Sequence, residues 1–250
     1  MSERIVTAAV IIIGNEILSG RTQDSNLREI AVTLGEWGIR VMEARVIPDI
    51  EDTIVSVVNE VRARYDYVLT TGGIGPTHDD ITAESIAKAF GVELIEHPQI
   101  AAVIRTFPAS PEVLQSRLRM ARVPTGAGLV ENATGGPPAL FIGNVYVLAG
   151  VPPIMREMLA SLRSKLTGGA VLQSRSVTAF LQESAIATPL QELQKKHPLV
   201  EIGSYPFFEG GREGTTLVMR STDEPLLDQV TAQVAALVAT AEGRPPAQGA

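Results

Sequence analysis

Apolar runs alternate with amphipathic segments over the first 90 residues of the chain. Three runs rich in β-branched residues, at positions 4–13, 39–47 and 67–71, are typical of strands buried on both faces. Between and after them, apolar side chains recur at helical spacing, at positions 27–34, 54–61 and 81–90. This alternation predicts right-handed crossovers and an α/β fold, in which a mostly parallel sheet carries helices on both sides.

The pattern becomes less regular towards the middle of the chain. Prolines divide residues 97–125 into short pieces, and residues 126–138 are predicted to form a loop. Residues 139–142 and 145–148 flank Gly143-Asn144, which indicates a β-hairpin. After Thr167-Gly168-Gly169, strand and helix patterns predict a small α+β domain. We therefore expect a main domain at residues 1–168, a small domain at residues 169–243 and a disordered tail at residues 244–250.

Composition narrows the possible classes of function. Hydrophobic residues make up 45% of the 250, which is enough for a substantial core, and the net charge of −7 argues against a general nucleic-acid or membrane binder. The chain has no cysteine, so disulfides, Cys-type zinc sites and Fe–S clusters are excluded. The apolar N-terminal run is too short to span a membrane, and we expect a cytoplasmic protein by default.

Polar segments, three of which contain glycine, follow four of the predicted strands. In a parallel sheet, ligands bind beyond the carboxyl ends of the strands, so these four loops are expected to converge on one crevice. The segments are Gly14-Asn15-Glu16, Pro48-Asp49, the run TTGGIGPTHDD at residues 70–80, and Gly150-Val151-Pro152.

The run at residues 70–80 combines features of a phosphate site and of a metal site. Glycines at 72, 73 and 75 let backbone N–H groups approach an anion and permit positive φ, and Thr70 and Thr71 offer hydroxyls. Asp79 and Asp80 suit Mg²⁺ or a similar hard ion lying between them and a phosphate.

A simpler alternative is that the glycines form a turn and that the aspartates cap the next helix. Helix capping would also explain Asp49. Glu16, in turn, could simply be an acidic residue in a surface turn. His78 has the chemistry of a general acid or base, but it is interpreted first as a loop residue.

These motifs resemble those of the molybdopterin-binding (MoaB/Mog-like) domain family, and specifically its CinA branch. The resemblance rests on residues 14–20 (GNEILSG), 24–26 (DSN), 70–80 and 150–152. Residues 201–206 (EIGSYP) extend it into the small domain, which looks like the KH-like domain of CinA. The two domains together are also similar to the N-terminal half of eukaryotic FAD synthases.

The resemblance implies a three-layer αβα fold with a mostly parallel sheet and a small α+β C-terminal domain. It implies a pocket for a small phosphorylated ligand, either a pterin phosphate such as molybdopterin with an adenylyl group or a nucleotide pyrophosphate. The family acids that act around a divalent metal fall here on Asp49 and Asp80. The family also implies help from K⁺ and a homo-oligomer, either a dimer or a trimer.

The leading hypothesis from this resemblance is a metal-dependent nucleotide pyrophosphatase acting on ADP-ribose or FAD. Asp80 and Asp49 would hold Mg²⁺, Mn²⁺ or Co²⁺ and take part in catalysis, with Asp79 assisting. The residues expected to bind or flank the ligand are Gly14, Asn15, Glu16, Thr70, Gly72, Gly73, Gly75, Gly150 and Val151.

Two other functions stay open at the level of sequence. One is an adenylyltransferase of molybdenum cofactor assembly, and the other is a non-catalytic nucleotide- or pterin-binding module. The second is motivated by Asn15 and Ile154, which stand where many family members have acids. The amidohydrolase domain of full-length CinA is not represented among these residues, so nicotinamide-nucleotide deamidation is not expected.

Overall fold

The computed structural model describes residues 4–243, and the chain divides into two units, Met1–Gly169 and Ala170–Ala250. The predicted tail at residues 244–250 lies outside the described residues. The strands of the first unit are β1 (Val6–Ile13), β2 (Ile39–Ile47), β3 (Tyr67–Thr71), β4 (Leu94–Glu96), β5 (Arg122–Pro124), β6 (Gly128–Val130), β7 (Ala139–Ile142) and β8 (Val145–Leu148). Its helices are α1 (Asn15–Leu18), α2 (Asn26–Glu36), α3 (Glu51–Arg62), α4 (Thr82–Phe90), α5 (Pro98–Arg105), α6 (Pro111–Leu118) and α7 (Pro152–Ser161).

A six-stranded sheet in the order β2-β1-β3-β8-β7-β6 forms the centre of the first unit. The first four of these strands are parallel, whereas β7 is antiparallel to both β8 and β6. Gly143, at φ +57°, lies in the tight turn between β7 and β8, which confirms the predicted hairpin. Because β1, β2, β3 and β8 run the same way, their carboxyl ends meet at one edge of the sheet.

Side chains of β1 alternate between two apolar layers, as expected of a strand covered on both faces. Val10 and Ile12 pack with residues of α2 and α7, and Ile11 and Ile13 pack with residues of α3, α4 and α5. This is the three-layer αβα arrangement that the sequence predicted.

The loop prediction for residues 126–138 is wrong in part. Gly128–Val130 forms the edge strand β6, which pairs with β7. A Cβ at Gly128 would overlap the ring of Phe141 on the partner strand, so this glycine is required by close packing and does not mark a turn. The strand depends on a partner further along the chain, and composition alone does not reveal it.

The second unit is a three-stranded antiparallel sheet with two helices. Its elements are β9 (Gln173–Ala179), α8 (Ala187–Lys196), β10 (Glu201–Glu209), β11 (Arg212–Ser221) and α9 (Glu224–Ala241), and the strand order is β10-β11-β9. Leu217 and Met219 of β11 are fully buried together with Val230 and Val234 of α9. The Asp223 carboxylate accepts the Leu226 N–H at 3.0 Å and caps α9. The α+β class predicted for this segment is confirmed.

Between residues 4 and 243, no helix has the length and apolar character needed to cross a bilayer.

Candidate functional site

A cavity of about 660 Å³ opens at the carboxyl edge of the parallel strands. All four of the predicted loops reach it, so the predicted convergence of these loops is observed. The predicted site residues that line it are Gly14, Glu16, Asp49, Gly72, Gly73, Gly75, Asp79, Asp80, Gly150 and Val151.

Gly72 allows three backbone segments to approach one another beside the cavity. It has φ +100°, and its N–H donates to the carbonyl of Leu148 at 3.3 Å. A Cβ here would overlap the carbonyl oxygen of Ile13, and a Cβ on Gly150 would come within 3.2 Å of the Gly72 Cα. Gly72 therefore joins the ends of β1, β3 and β8 by close contact.

The carbonyl groups of Gly72 and Gly73 are hydrogen-bonded to the first residue of α4. Thr82 is fully buried, its hydroxyl donates to the Gly72 carbonyl at 2.9 Å, and its N–H donates to the Gly73 carbonyl at 3.0 Å. Gly73 has φ +64°, and a side chain there would collide with the Thr82 hydroxyl. Among the described residues, no acceptor pairs with the N–H groups of Gly73, Ile74 and Gly75, which are left available to a ligand.

Asp80 is held over Gly75 by the turn that follows the glycines. Its Oδ2 accepts the Thr77 N–H at 2.8 Å and the Thr77 hydroxyl at 2.5 Å. A Cβ on Gly75 would lie 2.6 Å from Oδ2, so the glycine makes room for this carboxylate. The Thr77 side chain and the backbone N–H of Asp79 hold the pKa of the exposed Asp79 carboxyl below its usual range.

The interpretation of these aspartates as helix caps is wrong. Helix α4 begins at Thr82 with Ile81 as its N-cap, and α3 begins at Glu51 with Ile50 as its N-cap; neither cap involves a side-chain hydrogen bond. Asp49 instead accepts the backbone N–H of Asn15 at 2.9 Å. One oxygen of Asp49 accepts a hydrogen bond from the loop after β1, and one oxygen of Asp80 accepts hydrogen bonds from its own turn. The second oxygen of each carboxylate is not engaged by any described group.

Two predicted ligand-binding residues do not line the cavity. Asn15 meets Asp49 only through its backbone N–H. Thr70 is fully buried inside β3, where it is paired with Ile11 and Val147, and its hydroxyl has no partner among the described residues. His78 is almost fully exposed and also lies outside the cavity lining.

Asn26, in the DSN segment, connects α2 with the loop after β8. Its Nδ2 donates to the Gly150 carbonyl at 2.8 Å, and its side chain is buried. Asp24 accepts the Leu27 N–H at 2.9 Å at the start of the same helix. The Asn26 contact positions the Gly150 loop at the edge of the cavity, and the Asp24 contact pairs an N–H group in the first turn of α2.

Sequence reasoning missed a group of lining residues that come from the irregular middle of the chain. Arg119 and Arg122 belong to segments broken by prolines, and Asn132 and Thr134 belong to the predicted loop. Asn132 is buried, donates to the Pro137 carbonyl at 3.0 Å and accepts the Thr134 hydroxyl at 2.7 Å, which gives that wall a defined shape. The one available signal in the sequence was an asparagine within a glycine-rich stretch, and its burial became visible only in the structure.

The carboxylates of the cavity come from three different loops. Across residues 4–243, no three side chains of His, Asp or Glu lie close enough together to form a metal site on their own. A bound cation would therefore need oxygens from a ligand or from water in addition to Asp49 and Asp80.

Comparison with known proteins finds a matching family for each unit. The probable molybdopterin binding domain matches residues 9–172, and the middle domain of FAD synthase matches residues 171–242. A protein of Archaeoglobus fulgidus is 34% identical over 79% of this chain and 84% of its own length. A CinA-like protein of Gemmatimonas aurantiaca is 31% identical over 94% of this chain and 58% of its own length.

One solved structure is similar in both sequence and fold. The crystal structure of the protein CinA, of unknown function, from Thermoplasma acidophilum is 34% identical to this chain, with a TM-score of 0.59. The match covers 64% of this chain and 99% of that one.

Proposed function

Because the chain belongs to the molybdopterin-binding domain family, in its CinA-like branch, we propose that it is a metal-dependent nucleotide pyrophosphatase. Its substrate would be a phosphoanhydride of the ADP-ribose or FAD class. The observation that carries this proposal is that one cavity combines the unpaired N–H groups of the glycine loop with the carboxylates of Asp49 and Asp80. The match of the second unit to the middle domain of FAD synthase supports the same class of substrate.

The glycine loop would bind one phosphate. The N–H groups of Gly73, Ile74 and Gly75 follow one another in the chain, and positive φ at Gly72 and Gly73 bends the backbone around them. Successive N–H groups in such a bend form a concave site for an anion, and hydrogen bonds to a charged oxygen are stronger than those to a neutral one.

The acids of the cavity would bind the phosphate only through a cation. Four carboxylates line the cavity, from Glu16, Asp49, Asp79 and Asp80, against two arginines. A phosphoanhydride brings further negative charge, so a divalent ion between the two sets of oxygens is needed to offset their repulsion. An all-oxygen donor set suits Mg²⁺ or Mn²⁺, and such an ion supplies charge neutralisation and an activated water when bound.

Neighbouring residues of the chain would hold the two metal-binding carboxylates in position. Thr77 fixes the Asp80 carboxylate from one side, and the Asn15 N–H fixes that of Asp49. Both keep one oxygen free for the ion. Ile74, Ile154 and Met158 provide apolar walls that exclude bulk water from part of the cavity and strengthen the electrostatic interactions there.

The test is turnover of FAD or ADP-ribose with Mg²⁺, Mn²⁺ or Co²⁺, with K⁺ present, followed as release of AMP. Asp80→Asn and Asp49→Asn preserve shape and remove one charge each, and both are expected to lower kcat by at least about a hundredfold, the scale of losing one electrostatic contributor. Asp52→Asn is the matched control, because Asp52 is exposed on α3 and pairs with Lys88 at 3.0 Å. An Asp80→Asn protein as active as wild type would contradict the mechanism.

A second candidate is a molybdopterin-binding enzyme that transfers AMP during molybdenum cofactor assembly. The family match over residues 9–172 favours it. Adenylylated molybdopterin formed from ATP and molybdopterin, without turnover of FAD or ADP-ribose, would support this function over the first.

A third candidate is a binding module that has lost turnover. Ile154, which replaces a family acid, does line the cavity, whereas Asn15 does not. Nucleotide binding in calorimetry, with no product for any of the three metals, would favour this reading.

A further inference from the structure

Among the charged residues that line the cavity, Arg119 is the one whose positive charge is least explained by its contacts. It lies in the single 3₁₀ turn Arg119–Ala121, between α6 and β5. Its Nε is buried and has no hydrogen-bond partner among residues 4–243, and the residue lines the cavity. A guanidinium stays charged at every relevant pH, and a buried charged donor without a partner is costly.

The other positively charged residue that lines the cavity, Arg122, already forms an ion pair. Nη1 of Arg122 pairs with Oε1 of Glu84 at 2.5 Å. Glu84 belongs to the first turn of α4, so this pair holds β5 and the adjoining 3₁₀ turn beside the start of that helix. Asp79, Asp80 and Ala83, which precede or begin α4, line the same cavity as Arg119. Arg119 thus lies in the cavity wall beside the acidic loop.

We propose that Arg119 forms a second anion subsite, which binds the second phosphate of a ligand whose first phosphate lies on the glycine loop. The placement of that first phosphate rests on the proposed function. A guanidinium presents two parallel N–H donors that match two oxygens of one phosphate, which a single ammonium cannot do. The cavity then selects diphosphates over monophosphates, independently of which nucleoside or pterin they carry.

The experiment measures binding of inorganic pyrophosphate and of orthophosphate by calorimetry in the presence of Mg²⁺. Arg119→Met removes the charge and keeps the length of the side chain. It is expected to weaken pyrophosphate binding by about tenfold or more, the scale of one lost charge-assisted interaction. Orthophosphate binding is expected to stay unchanged, because the glycine loop alone holds it.

Arg117→Met is the matched control. Arg117 is two residues away on α6, donates to the Pro108 carbonyl at 3.3 Å and does not line the main cavity, so pyrophosphate binding should not change. Arg119→Lys keeps the charge and loses the paired donors, and a smaller but measurable weakening is expected. If Arg119→Met does not fold, pyrophosphate binding by Arg119→Lys tests the proposed subsite instead.

Three results would overturn the subsite. They are unchanged pyrophosphate binding in the folded Arg119 variants, equal loss of pyrophosphate and orthophosphate, and a wild-type protein that binds pyrophosphate no more tightly than orthophosphate. The proposed function fails differently, through the absence of FAD or ADP-ribose turnover. Absence of turnover with intact discrimination between the two anions would leave this inference standing.

Discussion

The backbone N–H of Asn15 donates to Oδ2 of Asp49 at 2.9 Å, and this bond joins the loop after β1 to the loop after β2. The residue after Gly14 therefore acts through its main chain, whichever side chain it carries. The bond uses Oδ2 of Asp49 and leaves Oδ1 without a described hydrogen-bond partner.

The first prediction separates the two roles of Asp49. Asp49→Asn keeps an oxygen that accepts the Asn15 N–H, so the free energy of unfolding should stay close to that of wild type while turnover falls. Asp49→Ala removes the acceptor and should also cost about 1 kcal/mol of stability. Urea denaturation and AMP release measure the two effects. Equal stability loss in both variants would show that the bond to Asn15 is not what holds the loops together.

The second prediction concerns Thr82, which ties α4 to the glycine loop. Thr82→Val leaves the Gly72 carbonyl without its hydroxyl donor and should cost about 1–3 kcal/mol. Because the loop loses its anchor, ligand affinity should fall as well. Ser85→Ala is the control, since the Ser85 hydroxyl is buried in the same helix but donates to the Ile81 carbonyl at 2.9 Å. Thermal melting and calorimetry should show a stability loss in both but a binding loss only in Thr82→Val.

The third prediction contrasts two glycines of one loop. Gly75→Ala requires no positive φ, and its Cβ would displace the Asp80 carboxylate, so activity should fall more than stability. Gly72→Ala requires φ +100° and overlaps the Ile13 carbonyl, so it should cost more than about 3 kcal/mol.

Gly91→Ala is the reference variant for Gly72→Ala, because it measures the cost of a positive φ without a close contact. Gly91 has φ +66° with open space around it, and its replacement should cost only about 1 kcal/mol. If Gly72→Ala proved no more destabilising than Gly91→Ala in urea denaturation, the close contact between strand ends would not be essential.

The fourth prediction is a pH dependence of stability that involves Asp66. Its carboxylate accepts the Thr7 N–H at 2.8 Å and the Thr7 hydroxyl at 3.0 Å, and pairs with Arg4. The Thr7 N–H contributes most to holding the pKa of Asp66 below its ordinary value of 3.8. A lowered folded-state pKa stabilises the protein above the unfolded-state pKa, and this contribution is lost as pH falls through the folded-state value.

Asp66→Asn should therefore be less stable than wild type at pH 7, by about 1–2 kcal/mol, and the difference should shrink below about pH 4. Urea denaturation at pH 7, 5 and 3 measures it, with Asp52→Asn as an exposed control. A difference that is the same at all three pH values would assign the effect to packing, and not to the charge of Asp66.

The sequence predicted much of the architecture because its signals are local. Continuous apolar strands such as residues 4–13 and amphipathic helices such as residues 54–61 determine the layers of the first unit. The strands that it did not reveal, β4, β5 and β6, are three residues each and exist only through pairing with distant partners. A three-residue strand has too short a pattern to be recognised without its partner.

By itself, the sequence determined the αβα class, the small α+β unit, and the glycine-rich loop with two acids that follows β3. These depend on hydrophobic period and on backbone conformations open to glycine, which neighbouring residues encode. Only the tertiary structure decided which side chains reach the cavity. It buried Thr70 in the sheet, turned Asn15 into a backbone donor and brought Arg119 to the cavity wall. The reason is that a cavity is lined by segments far apart in the chain, and their approach depends on packing across the whole unit.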